Sequence, residues 1–136
     1  MTMKTYNCIV VFDHDKTKAL FCRRIKDPFK GKLNFVGGNV EAGESEEDAA
    51  YRELMEETGI TRADIRLHRL MDIRYYHQGF DLEMYVGILR EDKPLREELN
   101  PLLWLPLTEN FADRERFAGE QNIAHIMNIA MAYPLP

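Results

Sequence analysis

Glu53, Glu56 and Glu57 stand at i, i+3 and i+4, directly after Arg52. On a helix that spacing places all three carboxylates on one face, where like charges destabilise the helix in isolation. A hard divalent cation with oxygen ligands removes that cost, so the cluster reads as a site for Mg²⁺, with Mn²⁺ as the alternative ion. Such an ion neutralises phosphate charge and acidifies a bound water, which is what cleavage of a phosphoric anhydride requires. Upstream, the side-chain-free Gly37-Gly38 pair lets backbone approach a cation, and the Gly37 carbonyl is a candidate further ligand. Arg52 has two readings. It orients Glu56 through a bidentate hydrogen bond, or it forms an exposed i, i+4 pair worth roughly a few tenths of a kcal/mol.

The elements that position these residues follow from pattern. Ser45 is a good N-cap, and Glu46, Glu47 and Asp48 suit a first helical turn. Ala50, Tyr51, Leu54 and Thr58 cover the side away from the glutamates, and Gly59 fits the left-handed position that ends a helix. Residues 6–12 and 19–23 read as a hairpin across Asp13-His14-Asp15. Residues 26–32 form a loop, and residues 33–36 a short strand leading into Gly37. Residues 65–76 and 82–89 are strands around the break His77-Gln78-Gly79. Residues 91–100 are a charged loop, and residues 102–107 an apolar run interrupted by Pro106. Residues 120–133 carry Ile123, Ile126, Met127, Ala130 and Met131 at helical period, ended by Pro134 and Pro136. The pattern is α+β, a mixed sheet with a helix on each side.

At 136 residues the chain is expected to form one domain over residues 1–136, with 45% apolar and 30% charged residues as in ordinary globular proteins. A net charge of −5 argues against a nucleic-acid polymer as partner, while a bound cation still permits nucleotides. Cys8 and Cys22 are too few for a disulfide framework and read as buried free thiols of a cytoplasmic protein. No secretory segment opens the chain, and no apolar stretch suits a membrane. His14, His68, His77 and His125 lack metal-ligand spacing, and Trp104 reads as core.

Gly38, Glu44, Arg52, Glu53, Leu54, Glu56, Glu57, Gly59 and Ile60 meet every fixed position of one 23-residue signature. Through them the chain resembles the Nudix hydrolases, most closely the small MutT-type nucleoside triphosphate pyrophosphohydrolases. The resemblance implies an α/β/α sandwich with a central mixed β-sheet. It also implies Mg²⁺-dependent hydrolysis of a nucleoside diphosphate linked to another group. The expected substrate is a nucleoside triphosphate, an oxidised purine one among the candidates, giving nucleoside monophosphate and pyrophosphate.

The same resemblance assigns catalysis to Arg52, Glu53, Glu56 and Glu57, with Glu53 or Glu57 as base. It adds Gly37 and the late-loop Glu98 to the metal ligands, Glu98 being equally readable as a solvated charge. Arg23, Phe35, Gly38, Tyr75 and Asn122 become pocket residues, and Glu120 a further candidate. Phe35 reads equally as core, and Asn122 equally as a plain helix-start residue. Glu44 fixes the loop or serves as a surface cap. The basic run Arg23, Arg24, Lys26, Lys30 and Lys32 steers polyphosphate or is a solvated loop. Val36 stands where many relatives have proline. Tyr75 and Tyr76 keep a dinucleoside polyphosphate hydrolase as the alternative, and a non-catalytic nucleotide-binding or sensing module is the alternative outside enzymes. The oligomeric state stays open between monomer and homodimer.

Overall fold

The computed structural model describes residues 4–119 and 122–135. Strands β1 (Lys4–Phe12), β2 (Lys18–Arg23) and β3 (Leu33–Asn34) precede helix α1 (Glu46–Thr58). Strands β4 (His68–Tyr75), β5 (Phe80–Ile88) and β6 (Leu102–Pro106) follow, then helix α2 (Asn122–Ala132). The sheet runs β3-β2-β1-β5-β4, with β6 also paired to β2. Its spine is the parallel ladder of β1 on β5, in register from Lys4 opposite Phe80 to Phe12 opposite Ile88. The other strand pairs are antiparallel, so the sheet is mixed.

Alternation along the strands divides the core in two. Val10, Phe12, Met84 and Val86 pack with Ile123, Ile126, Met127 and Ala130 of α2. Ile9, Val11 and Tyr85 pack with Ala50, Tyr51 and Leu54 of α1. Each helix therefore covers one face, and the expected α/β/α sandwich is what forms. Burial of a side chain such as Leu54, which is fully buried, contributes about 1.5–3 kcal/mol. Among the described residues no helix is long and apolar enough to cross a membrane.

Some boundaries differ from the sequence reading. β3 is only Leu33–Asn34, and Val36 makes a lone bridge to Ile9, because the chain must turn into Gly37 there. The run 65–76 yields strand only at His68–Tyr75, with a bulge between Arg69 and Met71 and a separate bridge from Ile65 to Leu89. The run 102–107 is β6, and Pro106 is its last residue, where loss of a donor is cheapest. The last helix is described from Asn122, and the expected start at Glu120 lies outside the described residues. Both cysteines are free; Cys22 is buried and Cys8 partly so. Burial pushes their thiols up to about 11 and about 12, so neither is a reactive thiolate at neutral pH.

Asp13 closes the β1–β2 turn. Its carboxylate accepts from the Thr17 N–H (2.8 Å), the Lys18 N–H (2.9 Å) and the Thr17 hydroxyl (2.9 Å). Burial opposes the anion, but these bonds outweigh it and hold Asp13 below the usual carboxylate range. A depressed folded pKa contributes stability above the unfolded value and loses it as pH falls through the folded one. Asp13→Ala is expected to cost about 1–3 kcal/mol at pH 7. In urea unfolding the difference should shrink as pH drops below the carboxylate range. Equal midpoints at pH 7 would show that the turn does not depend on this cap.

Candidate active site

Helix α1 is built to carry charge on one side only. The Ser45 side chain accepts from the Asp48 N–H at 3.1 Å, and Gly59, at φ 80°, closes the helix with its N–H on the Met55 carbonyl. Ala49, Ala50, Tyr51, Leu54 and Thr58 are buried. That leaves Arg52, Glu53, Glu56 and Glu57 along the flank facing the loop from Gly37 to Glu44.

Arg52 is the hub of that flank. Its Nε and Nη2 donate to the two Glu44 oxygens, each at 2.8 Å. Its Nη1 donates to Glu53 at 3.0 Å and Glu56 at 3.1 Å, and Nη2 also reaches the Asn39 carbonyl at 2.9 Å. The bidentate partner is thus Glu44, and Glu56 receives a single bond. Glu44 also accepts the Glu41 N–H at 2.9 Å, so it ties the loop to the helix. The Arg52 hydrogen bond, then that N–H, hold the Glu44 carboxyl down to about 2.

Glu53 and Glu57 are differently placed. Gly37 donates its N–H to Glu57 Oε2 at 2.8 Å. Burial pushes Glu57 up to about 7 against that bond, and the Glu53 and Glu56 charges push the same way. Burial also raises Glu53, which Arg52 partly offsets. Gly38 lies so close to Glu53 that an added Cβ would stand 2.4 Å from its carboxyl group. Crowded carboxylate oxygens are the donor type that a hard divalent ion takes. They do not form a ready cage. Among the described residues no group of three or more His, Cys, Asp or Glu side chains converges for an ion. Arg52 draws Glu53 and Glu56 one way, and the Gly37 N–H draws Glu57 another.

The remaining predicted residues fall in separate places. Glu98 is paired with Arg96 at 2.6 Å. Neighbouring Glu97 accepts the Leu102 N–H. Arg23 donates to the Gly31 carbonyl at 3.1 Å. Phe35 is buried and stacked on Phe21, with ring centroids 5.1 Å apart, so its core role is the one seen. Tyr75 and Asn122, far apart in sequence, meet through Asn122 Nδ2 donating to the Tyr75 hydroxyl at 2.5 Å. Tyr75 stacks on Phe80 at 4.5 Å, and Tyr6 meets Phe80 edge-on at 5.5 Å.

Arg24, read in the sequence as part of the basic run, is close enough for its charge to lower Glu57. One residue escaped the sequence reading of the site. Asn7 holds the glycine turn through the Gly38 N–H at 3.0 Å. The signal for Asn7 was a lone amide in an otherwise apolar strand.

Residues 1–126 match the NUDIX domain, and the chain belongs to that family of hydrolases. Among its relatives, the 8-oxo-dGTP diphosphatase of Escherichia coli (strain K12) is 29% identical over 88% of this chain and 93% of its own. The oxidized purine nucleoside triphosphate hydrolase of Danio rerio is 45% identical over 65% of this chain and 68% of its own. The Nudix domain of Shewanella oneidensis NrtR, complexed with ADP ribose, superposes with a TM-score of 0.74 at 20% identity. That superposition covers 96% of this chain and 88% of the other, and the likeness speaks to fold alone. With its MutT-like relatives the chain is a Nudix pyrophosphohydrolase, of a family that typically depends on a divalent metal.

Gly38→Ala is expected to drive a methyl group into the Glu53 carboxyl and lower turnover at least about tenfold, equivalent to about 1.4 kcal/mol of barrier. Circular dichroism should stay that of the wild type. Undiminished turnover would show that the turn yields to a side chain.

Proposed function

We propose that this chain hydrolyses a nucleoside triphosphate to nucleoside monophosphate and pyrophosphate, with an oxidised purine as the preferred base. Glu53, Glu56 and Glu57 hold Mg²⁺, or Mn²⁺ in its place, with the Gly37 carbonyl as a further ligand. The observation that carries the reading is the single flank of α1. There Arg52 binds Glu44, Glu53 and Glu56 together while Gly37 holds Glu57.

The ion, when bound, neutralises phosphate charge and acidifies a water. The chain's own residues do the positioning. Arg52 fixes Glu53 and Glu56, and Glu44 fixes Arg52. Glu53 or Glu57 accepts the proton of the attacking water. Glu98 joins the ligands only by leaving Arg96.

A purine needs an aromatic face and a polar group that reads its edge. The Tyr75–Phe80 stack beside the Asn122 amide supplies both kinds of group. Arg23 and Arg24, with Lys26, Lys30 and Lys32, attract the polyphosphate in a chain of net charge −5. Two MutT-like relatives named for oxidised purine nucleotides support this substrate class. The free thiols, pushed up by burial, suit a cytoplasmic setting.

The test is a hydrolysis screen with Mg²⁺ and product identification. It covers ordinary and 8-oxo nucleoside triphosphates, dinucleoside polyphosphates and ADP-ribose. An 8-oxo purine triphosphate should be preferred, with pyrophosphate released. Glu57→Gln, still folded, should lose at least about 100-fold in kcat, or about 2.7 kcal/mol; full activity in that variant sinks the reading. Asn122→Ala should raise KM for the preferred triphosphate about tenfold with kcat little changed, the mark of lost ground-state binding. A fall in kcat alone would place Asn122 outside the pocket. Turnover of a dinucleoside polyphosphate only would transfer the assignment to Tyr75 and Tyr76.

A further inference from the structure

Asn7 lies in β1, is 2% exposed, and belongs to no part of the 23-residue signature. It grips the glycine turn in three ways. Its backbone N–H donates to the Gly38 carbonyl at 2.8 Å. Its side-chain Oδ1 accepts the Gly38 N–H at 3.0 Å. Its own carbonyl lies so close to Gly37 that an added Cβ there would stand 2.2 Å away. The turn so held then touches both partly buried carboxylates, Glu57 through the Gly37 N–H and Glu53 through the close face of Gly38.

We propose that Asn7 is a positioning residue that clamps the Gly37–Gly38 turn and thereby sets where the Glu53 and Glu57 carboxylates stand. The proposal rests on the reading of those carboxylates as metal ligands. β1 is the right anchor, since it is locked along its length to β5. The side chain must accept a hydrogen bond, because the partly buried Gly38 N–H needs a partner. An apolar residue of the same size leaves that donor unpaired and frees the turn. Without an ion, an acceptor of little negative charge also costs the fold least. Asn7 sits opposite Glu83 in the parallel register, and Glu83 is itself 4% exposed on the same face as Glu53 and Glu57. A neutral amide meets both demands. Among the described residues its Nδ2 is buried without a hydrogen-bond partner, as is Oε1 of Glu83. A side chain that leaves its donor end unsatisfied is retained for its acceptor end.

The experiment compares Asn7→Leu, which keeps volume and loses the acceptor, with Asn7→Asp, which keeps the acceptor. Mn²⁺ affinity is measured by titration calorimetry on the protein without nucleotide, alongside kcat, KM and thermal melting. For Asn7→Leu, Mn²⁺ affinity and kcat are each expected to fall about tenfold. KM for the triphosphate should stay within about threefold of wild type. Asn7→Asp should hold Mn²⁺ at least as tightly as wild type. A purely structural role predicts losses in both variants that follow their melting temperatures, and that result overturns the proposal. So does a folded Asn7→Leu with wild-type Mn²⁺ affinity. Should Asn7→Leu not fold, Asn7→Ser, whose hydroxyl is too short to reach the Gly38 N–H, is read by the same criteria. Wild-type protein that binds no Mn²⁺ overturns the metal reading itself, a failure separate from that of Asn7.

Discussion

Negative charge crowded onto one turn of α1 is the constraint around which the site is arranged, and the Arg52 guanidinium is what makes it tolerable. Its five N–H donors match five hydrogen bonds: two to Glu44, one each to Glu53 and Glu56, and one to the Asn39 carbonyl. A lysine ammonium offers three donors and no planar fork, so it could not hold the same set. The side chains involved are mostly sheltered, with Arg52 23%, Glu44 19% and Glu53 15% exposed. An ion pair at that depth is screened less than a surface one, and removing one partner leaves an uncompensated charge. Glu57 is the carboxylate that Arg52 does not reach. Burial raises its pKa most among the α1 glutamates that titrate abnormally, and the Gly37 N–H, then the Arg24 charge, restrain it.

The remainder of the fold keeps that turn of helix still. At its start, Glu46 takes a hydrogen bond from Arg69 at 2.9 Å, and Arg69 also reaches Asp72, the Tyr85 hydroxyl and the buried Glu83. Burial pushes Glu83 up to about 7, with Glu46 raising it further and Arg69 opposing. At the other end, Lys93 donates to the Gly59 carbonyl, and the Arg96 N–H donates to that of Thr58. These bonds satisfy carbonyls that a helix end leaves unpaired. Between the two ends Leu54 and Tyr51 seat the helix on the sheet, and the Tyr51 hydroxyl accepts the Leu67 N–H. A site on a helix pinned at both ends is held more tightly than one on loops.

The elements were legible because their signals are local. Ser45, the acidic first turn and Gly59 bound α1 within a residue of where it forms, and alternation in β1 and β5 separates the two faces. What periodicity did not contain is pairing. Nothing in the two runs says that β1 and β5 lie parallel, or that β6 adds to β2 rather than to an outer edge. The α/β/α sandwich topology came from the family resemblance. The strand over 65–76 was overcalled for a related reason. β-rich composition continues through residues 65–67, but the chain there packs its backbone against Gly87, where a Cβ would meet the Arg66 carbonyl at 2.7 Å.

The site divides along the same line. Glu53, Glu56 and Glu57 are neighbours because a helix repeats every 3.6 residues, so their common flank needs no tertiary information. Their directions do need it. Spacing alone suggests one converging trio, whereas Arg52 and Gly37 pull the carboxylates apart. Asn7 meets Gly38 across 31 residues, and Tyr75 meets Asn122 across 47. Neither pair shares a helix or a hairpin that would betray it. The carboxylate flank of α1 can therefore be compact in sequence, whereas the strand that fixes its depth and the contact between Tyr75 and Asn122 are assembled only by the sheet. Catalytic class is accordingly read from a short segment, and substrate identity is distributed over contacts that exist only in the folded chain.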